Sequence, residues 1–245
     1  MPFPRHGVII TAAGESLRFI QSSSAYTGKK EFVLLDDRSV LYHATEPFIS
    51  IPGIAVVVVT YGKGQYDETV LALDNLLYTA SVPVMLVEGG ATRQESVRLA
   101  LEELYHSGAN LEFVAIHDGA RPWITSDIII DTLATASVFG GAAPGVRVHD
   151  ALKKVDQEGM VVAHPSRDGL VAIQTPQVFS YPLILEAHRQ AAVSGKVYLD
   201  DTEIFTDAGG KVVVSQGSWV NRKITTSLDL CGQQPIPANP KELPQ

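Results

Sequence analysis

The stretch IAVVVV, Ile54 to Val59, is apolar at every position and dominated by β-branched side chains. A strand with one wet face would carry polar residues at alternate positions. A run without them reads as a strand buried on both faces, as in a parallel sheet covered by helices. Working outward, shorter β-branched runs occur at Val8 to Thr11, Val84 to Val87 and Phe113 to His117. Helical patterns lie between and after them, at Val40 to Ser50, Tyr66 to Leu77, Thr92 to Tyr105 and Ser126 to Phe139. Thr92 with Glu95 three residues on is a capping box, and Val97, Leu101 and Leu104 share one face of the helix it opens. Strand and helix in alternation predict a doubly wound α/β sheet.

The alternation stops after Gly145. From about Val146 to Ala172, charged and glycine positions separate short strand-like pieces (ALKKV, GMVVAH), which predicts a β-arm projecting from the sheet. Helix and strand patterns return at Pro182 to Ala192 and Lys211 to Val214. One domain over residues 1–232 is expected, with the arm inserted. The tail 233–245, with four prolines in thirteen residues, is expected to be disordered.

Composition excludes several classes. Of 245 residues, 45% are hydrophobic and 19% charged, enough apolar surface for a sizeable core. The net charge of −8 argues against a general nucleic-acid or membrane-surface binder, though not against a small anionic ligand met by local cations. Cys231 is the single cysteine, which fits a reducing compartment. With no signal-peptide pattern after Met1 and no apolar run long enough to span a bilayer, the expected location is the cytoplasm.

In an open α/β sheet, ligands bind beyond the carboxyl ends of the strands. The first such segment is TAAGESLRF, residues 11–19. Ala12, Ala13 and Gly14 have almost no side chain, so a base edge or phosphate can reach the backbone N–H groups. Arg18 follows, then Lys29 and Lys30, cations suited to drawing two anions together. A solvated surface loop is the bland alternative. No G-x-G-x-x-G follows the first strand, and Gly28-Lys29 makes a poor Walker A, with Ser23 and Lys30 at its other key positions. The second segment is EGGATRQESV, residues 88–97, where Gly89 and Gly90 precede a helix N-terminus and Ser96 lies one turn in. The third is IHDGARPW, residues 116–123: Asp118 suits Mg²⁺, and Arg121 suits a phosphate or Asp118 itself. His117 reads as a structural neighbour. In NRKIT, residues 221–225, strand-like alternation would put Asn221 and Lys223 on one face and Arg222 on the other.

Over roughly residues 6–230 these segments resemble the methylerythritol-phosphate cytidylyltransferase family, in the order AAG with a following arginine, lysine before an aromatic, GGATRQESV, HDGARP, PSRDGL, QTPQVF and NRKIT. The resemblance implies a Rossmann-like sheet with a dimerising β-arm. It implies transfer of CMP from CTP to 2-C-methyl-D-erythritol 4-phosphate, with Mg²⁺ as cofactor and a homodimer as the working form. It gives Arg18, Lys30 and Lys223 as the phosphate-binding and transition-state cations. Ala12, Ala13, Gly14, Gly90, Ser96 and Gly119 become nucleotide contacts. Asp118 becomes the metal- and ribose-side acid, and Arg121, Arg167 and Thr175 become polyol-phosphate contacts, Arg167 reaching a neighbouring subunit's site.

The chain departs from that pattern at several positions. Ser16 and Leu17 stand where the family has another glycine and a basic residue. The Arg18–Lys30 loop is longer and Ser-rich. Lys29 replaces a proline, Ala151 an arm threonine and Val220 an acid. Two rivals use the same framework: a ribitol 5-phosphate cytidylyltransferase, and a sensor that binds nucleotide without transferring it.

Overall fold

The computed structural model describes residues 3–22 and 28–230. The expectations for the tail and for most of the Ser-rich loop fall outside the described residues. In chain order the elements are β1 (His6–Ala12), α1 (Leu17–Gln21), β2 (Leu34–Leu35), β3 (Arg38–Ser39), α2 (Val40–Ile49), β4 (Ile54–Tyr61), α3 (Tyr66–Leu73), α4 (Leu76–Thr79), β5 (Val84–Glu88), α5 (Arg93–His106) and β6 (Phe113–Asp118). Then come α6 (Ser126–Phe139), β7 (Gly141–Arg147), β8 (Lys154–Val155), β9 (Val161–Ala163), β10 (Val171–Ile173), β11 (Gln177–Ser180), α7 (Tyr181–Ser194), α8 (Asp201–Asp207) and β12 (Val213–Gln216).

The main sheet has eight strands. β5, β4, β1 and β6 lie side by side and parallel; β11 pairs antiparallel with β6 and with the start of β7. β10 continues along the same side of β7, and β12 takes its other side in parallel. The all-apolar run behaves as expected: Val57 and Val59 enter one buried cluster with Val8, Ile10, Leu41, Phe48 and Ile129, while Val56 and Val58 enter the opposite one with Ile9, Val97, Leu101 and Ile184. Helices therefore cover both faces, and the fold is a Rossmann-like α/β sheet.

Three local expectations need adjustment. The pattern over Tyr66–Leu77 is two helices, broken where Asp74 takes φ 50°, a left-handed conformation that cannot continue an α-helix. The capping box is half formed: Thr92 Oγ1 accepts the Glu95 N–H at 3.1 Å, but the Glu95 carboxylate forks onto Arg98 at 2.7 and 3.0 Å instead of reaching back. The segment 221–225 is irregular, tied to the sheet by the Ile224 N–H donating to Ala120 O at 2.8 Å. The arm has two tiers, a β7–β10 base (Arg147 opposite Val171) and an outer β8–β9 hairpin whose Val155, Val161 and Val162 are exposed.

Candidate active site

The chain runs from β1 outward through β4 to β5, then returns to place β6 on the other side of β1, so the topological switch lies between β1 and β6. A cavity of about 950 Å³ opens there, lined by Ala13, Gly14, Arg18, Lys30, Asp118 and Lys223 among others. The β1 end is locked on both sides: Ala12 N–H donates to Thr60 Oγ1 at 3.1 Å, and Gly119 N–H to Thr11 O at 2.9 Å.

Two residue pairs bring the cations together. Phe19 and Ile224 are fully buried in a small cluster with Leu35 and Val40. Their sequence neighbours Arg18 and Lys223 then face the cavity. Burying each apolar side chain contributes roughly 1.5–3 kcal/mol, so packing secures the backbone that carries both cations, and an ion pair with Asp118 further fixes Lys223. Lys30 joins them from a short 3₁₀ turn, Lys30–Phe32. Burial is the main influence lowering the Lys30 ammonium below its ordinary pKa; repulsion from Lys223 and Arg18 adds to it, and Glu31 and Asp118 oppose it. Lys29 turns away, donating to Gln65 Oε1 at 3.0 Å with its ammonium over the Phe32 ring. Of the two adjacent lysines, the geometry therefore puts Lys30 in the cavity.

Asp118 ends β6 as a buried carboxylate ringed by cations. Lys223 Nζ lies 2.9 Å from Oδ2, Arg121 Nε 3.4 Å from Oδ2, and Arg93 Nε 3.5 Å from Oδ1. Burial alone would raise its pKa, but Lys223, Arg93 and Arg121 outweigh that and hold the group well below the usual carboxylate range. Gly89 and Gly90 shape the opposite wall. A Cβ on Gly89 would collide with Ala13 and Ser96, and one on Gly90 with Glu95, so only glycine fits. The Ser96 hydroxyl accepts the Gly90 N–H at 3.1 Å and donates to Thr92 O at 2.9 Å, so its main work is to fix this loop.

Several residues expected to touch ligand sit behind the wall. Ala12 and Gly119 are buried beneath the β1 loop, because the two strand ends bond to each other there. Thr175 is 4% exposed; its Oγ1 accepts the Asp118 N–H at 3.1 Å and bonds His117 Nδ1 at 3.0 Å. His117 Nε2 donates to Arg121 O at 3.2 Å, so the ring is a neutral strut, and burial above all pushes its pKa down to about 4. Arg121 spends its guanidinium on Asp118 and on Asn221 O at 2.8 Å. Arg167 lies on the arm, outside the cavity wall, and donates to His149 O.

Sequence reasoning overlooked the organising role of QTPQ. Gln174 Nε2 donates to Ser218 O at 2.8 Å, and the Thr175 carbonyl accepts Asn221 Nδ2 at 2.9 Å, which together hold the loop that carries Lys223. Gln177 Oε1 accepts the Asp201 N–H at 3.1 Å. Buried Asp201 in turn meets Arg93, NH2 to Oδ2, at 2.8 Å. Asp200 with Glu203 is a capping signal legible in the sequence; the Asp201–Arg93 contact between distant elements has none. Glu31 was also missed as a charge in the cavity wall: it is 4% exposed and accepts Ser16 Oγ at 3.0 Å.

Among the described residues no cluster of three or more His, Cys, Asp or Glu could hold a metal by itself. No helix among them is long and apolar enough to cross a membrane.

Residues 7–236 match the family model for 2-C-methyl-D-erythritol 4-phosphate cytidylyltransferase. The chain is 36% identical, over 91% of its length and 94% of the relative's, to the 2-C-methyl-D-erythritol 4-phosphate cytidylyltransferase of Caldanaerobacter subterraneus subsp. tengcongensis. It is 39% identical, over 94% of its length, to the bifunctional enzyme IspD/IspF of Rhodopseudomonas palustris strain HaA2, of which it spans only 55%. Among solved structures it resembles the 2-C-methyl-D-erythritol 4-phosphate cytidylyltransferase of Thermus thermophilus, with TM-score 0.72, 29% identity and coverage of 94% and 96% of the two chains.

Proposed function

The chain belongs to the 2-C-methyl-D-erythritol 4-phosphate cytidylyltransferase family, and from that premise we propose that it transfers CMP from CTP to 2-C-methyl-D-erythritol 4-phosphate, releasing pyrophosphate. The observation that carries the reading is the convergence of Arg18, Lys30 and Lys223 on one cavity walled by Ala13, Gly14 and Gly90. Small residues let the nucleotide approach the backbone, and the cations meet the triphosphate.

The acceptor's phosphate oxygen, already ionised near neutral pH, attacks the α-phosphorus in line as the bond to pyrophosphate breaks. No general base is required, which agrees with His117 being a buried neutral strut. Arg18 and Lys30 hold charge on the α-phosphate oxygens as it develops, and Lys223 holds the acceptor's phosphate near Asp118, while Arg121 behind the wall fixes the Asp118 carboxylate and the Lys223 loop. Mg²⁺ takes one or two carboxylates with phosphate and water for the rest, and we assign Asp118 as the carboxylate that would hold it once phosphate is present. When bound it would neutralise phosphate charge beside Asp118.

The arm supports a homodimer, because Val155, Val161 and Val162 are exposed on it and Arg167 stands clear of its own cavity. We further read residues 1–232 as one nucleotidyltransferase unit working in the cytoplasm. The test is pyrophosphate release with CTP and Mg²⁺. Release with 2-C-methyl-D-erythritol 4-phosphate and not with D-ribitol 5-phosphate is expected. Release with ribitol 5-phosphate alone would overturn the acceptor, and CTP binding without release to either would favour a sensor.

A further inference from the structure

Asp201 is fully buried at the start of α8 and does not line the cavity. Its Oδ1 lies 3.1 Å from His188 Nε2 on α7, and its Oδ2 2.8 Å from Arg93 NH2 on α5. His188 Nδ1 has no partner among the described residues, so the ring proton belongs on Nε2, where it can donate to Asp201. Gln177 on β11 fixes the backbone at this point, accepting the Asp201 N–H while its Nε2 donates to Asp200 Oδ2 at 3.0 Å. Four elements thus converge to set one carboxylate against one guanidinium. A carboxylate withdrawn from water costs several kcal/mol unless it is paired. Burial would raise the Asp201 carboxyl, and Arg93 and His188 together hold it below its ordinary range.

Arg93 is the link to the cavity, which it lines with its side chain 30% exposed. A guanidinium beside a carboxylate favours the two-pronged pairing. It is not formed with Asp118: the NH2 prong is in an ion pair with Asp201 Oδ2 at 2.8 Å, without the alignment of a hydrogen bond, and only Nε faces Asp118 Oδ1, at 3.5 Å. Asp118 Oδ2 is engaged by Lys223 at 2.9 Å and Arg121 at 3.4 Å, whereas Oδ1 has only the long contacts of Arg93 Nε and Thr11 Oγ1, both 3.5 Å, and is the more loosely held oxygen.

We propose that Asp201 is a positioning residue for the transfer reaction: by holding Arg93 it keeps the guanidinium from closing on Asp118, and so leaves Asp118 Oδ1 available to the bound nucleotide. The role rests on the activity proposed above. Asp201→Asn keeps the shape and an acceptor for His188 but removes the charge that holds Arg93. Its CTP affinity, measured by calorimetry, should fall about tenfold, the scale of one charge-assisted hydrogen bond. In an Arg93→Gln background there is no guanidinium to release, and the same substitution should change affinity less than about twofold.

An equal loss in both backgrounds would mean that Asp201 merely docks α8, and no loss in the wild-type background would likewise overturn the proposal. If Asp201→Asn does not fold, Asp201→Glu displaces the carboxylate by one methylene and the same two-background comparison applies. CTP binding is read without any acceptor. A chain that shows the coupling yet transfers to no polyol phosphate sinks the activity and spares this role; a chain that transfers but shows no coupling does the reverse.

Discussion

Ser16 shows how one residue both strains and steadies the site. It sits at φ 56°, a left-handed conformation that costs a non-glycine residue roughly 1–2 kcal/mol. Its hydroxyl offsets that by donating to buried Glu31 at 3.0 Å, beside the Lys30 backbone. Ser16→Ala keeps the strain and strands Glu31, so it should lower unfolding stability by about 1–3 kcal/mol. Ser16→Gly should recover roughly 1 kcal/mol of this, giving the order Ser, Gly, Ala in denaturant midpoints. At Lys30 the expected effect is kinetic. Lys30→Ala should lower kcat on the order of 10²–10³-fold, with a smaller change in CTP affinity; near-normal turnover would remove it from the transition state. Because its pKa is depressed, Lys30 loses its proton at a lower pH than an ordinary lysine. The high-pH limb of kcat/KM should therefore begin below the usual lysine range and move upward in Lys30→Arg.

Among elements, the stretch from Gln174 to Ser180 carries more of the site than its length suggests. Through Thr175 it anchors both Asp118 and His117. His117 gives the pH signature of this anchoring. The unfolded chain binds its proton near pH 6.5 while the folded chain resists until about 4, so stability present above 6.5 is lost as pH falls through that window. A gap of that width corresponds to roughly 3 kcal/mol. Unfolding free energies from urea titrations at pH 7.5 and 4.5 should differ by about 2–3 kcal/mol more in the wild type than in His117→Gln, and parallel profiles would refute the assignment. Phe19 and Ile224 act at the same scale. Ile224→Ala should cost about 2–5 kcal/mol, and it should weaken CTP binding because Lys223 shares its segment.

For the whole molecule, the arm raises the question of what completes the site. Arg167 is remote from its own cavity wall, and the outer hairpin exposes valines that a second copy would cover. If the arm exchanges across a dimer, Arg167→Ala and Lys30→Ala chains, each inactive alone, should regain activity when mixed. About half of randomly mixed dimers pair unlike chains and carry one intact site, so about a quarter of wild-type activity is expected. No recovery, with mixed dimers demonstrated by native mass spectrometry, would place Arg167 outside a shared site.

What the sequence determined by itself was periodic or local. The unbroken apolar run at Ile54–Val59 required a strand covered on both faces, and α6 fell where its helical period put it. The small residues and cations at strand ends marked the cavity because open α/β sheets bind ligands there. Only the tertiary structure decided what depends on contacts between distant residues. It set Lys29 against Gln65, put Thr175 and Arg121 behind Asp118 instead of in the cavity wall, and set Asp201 against Arg93. A buried polar group takes its partner from whatever the fold brings within about 3 Å, and no pattern along the chain encodes which residue that will be.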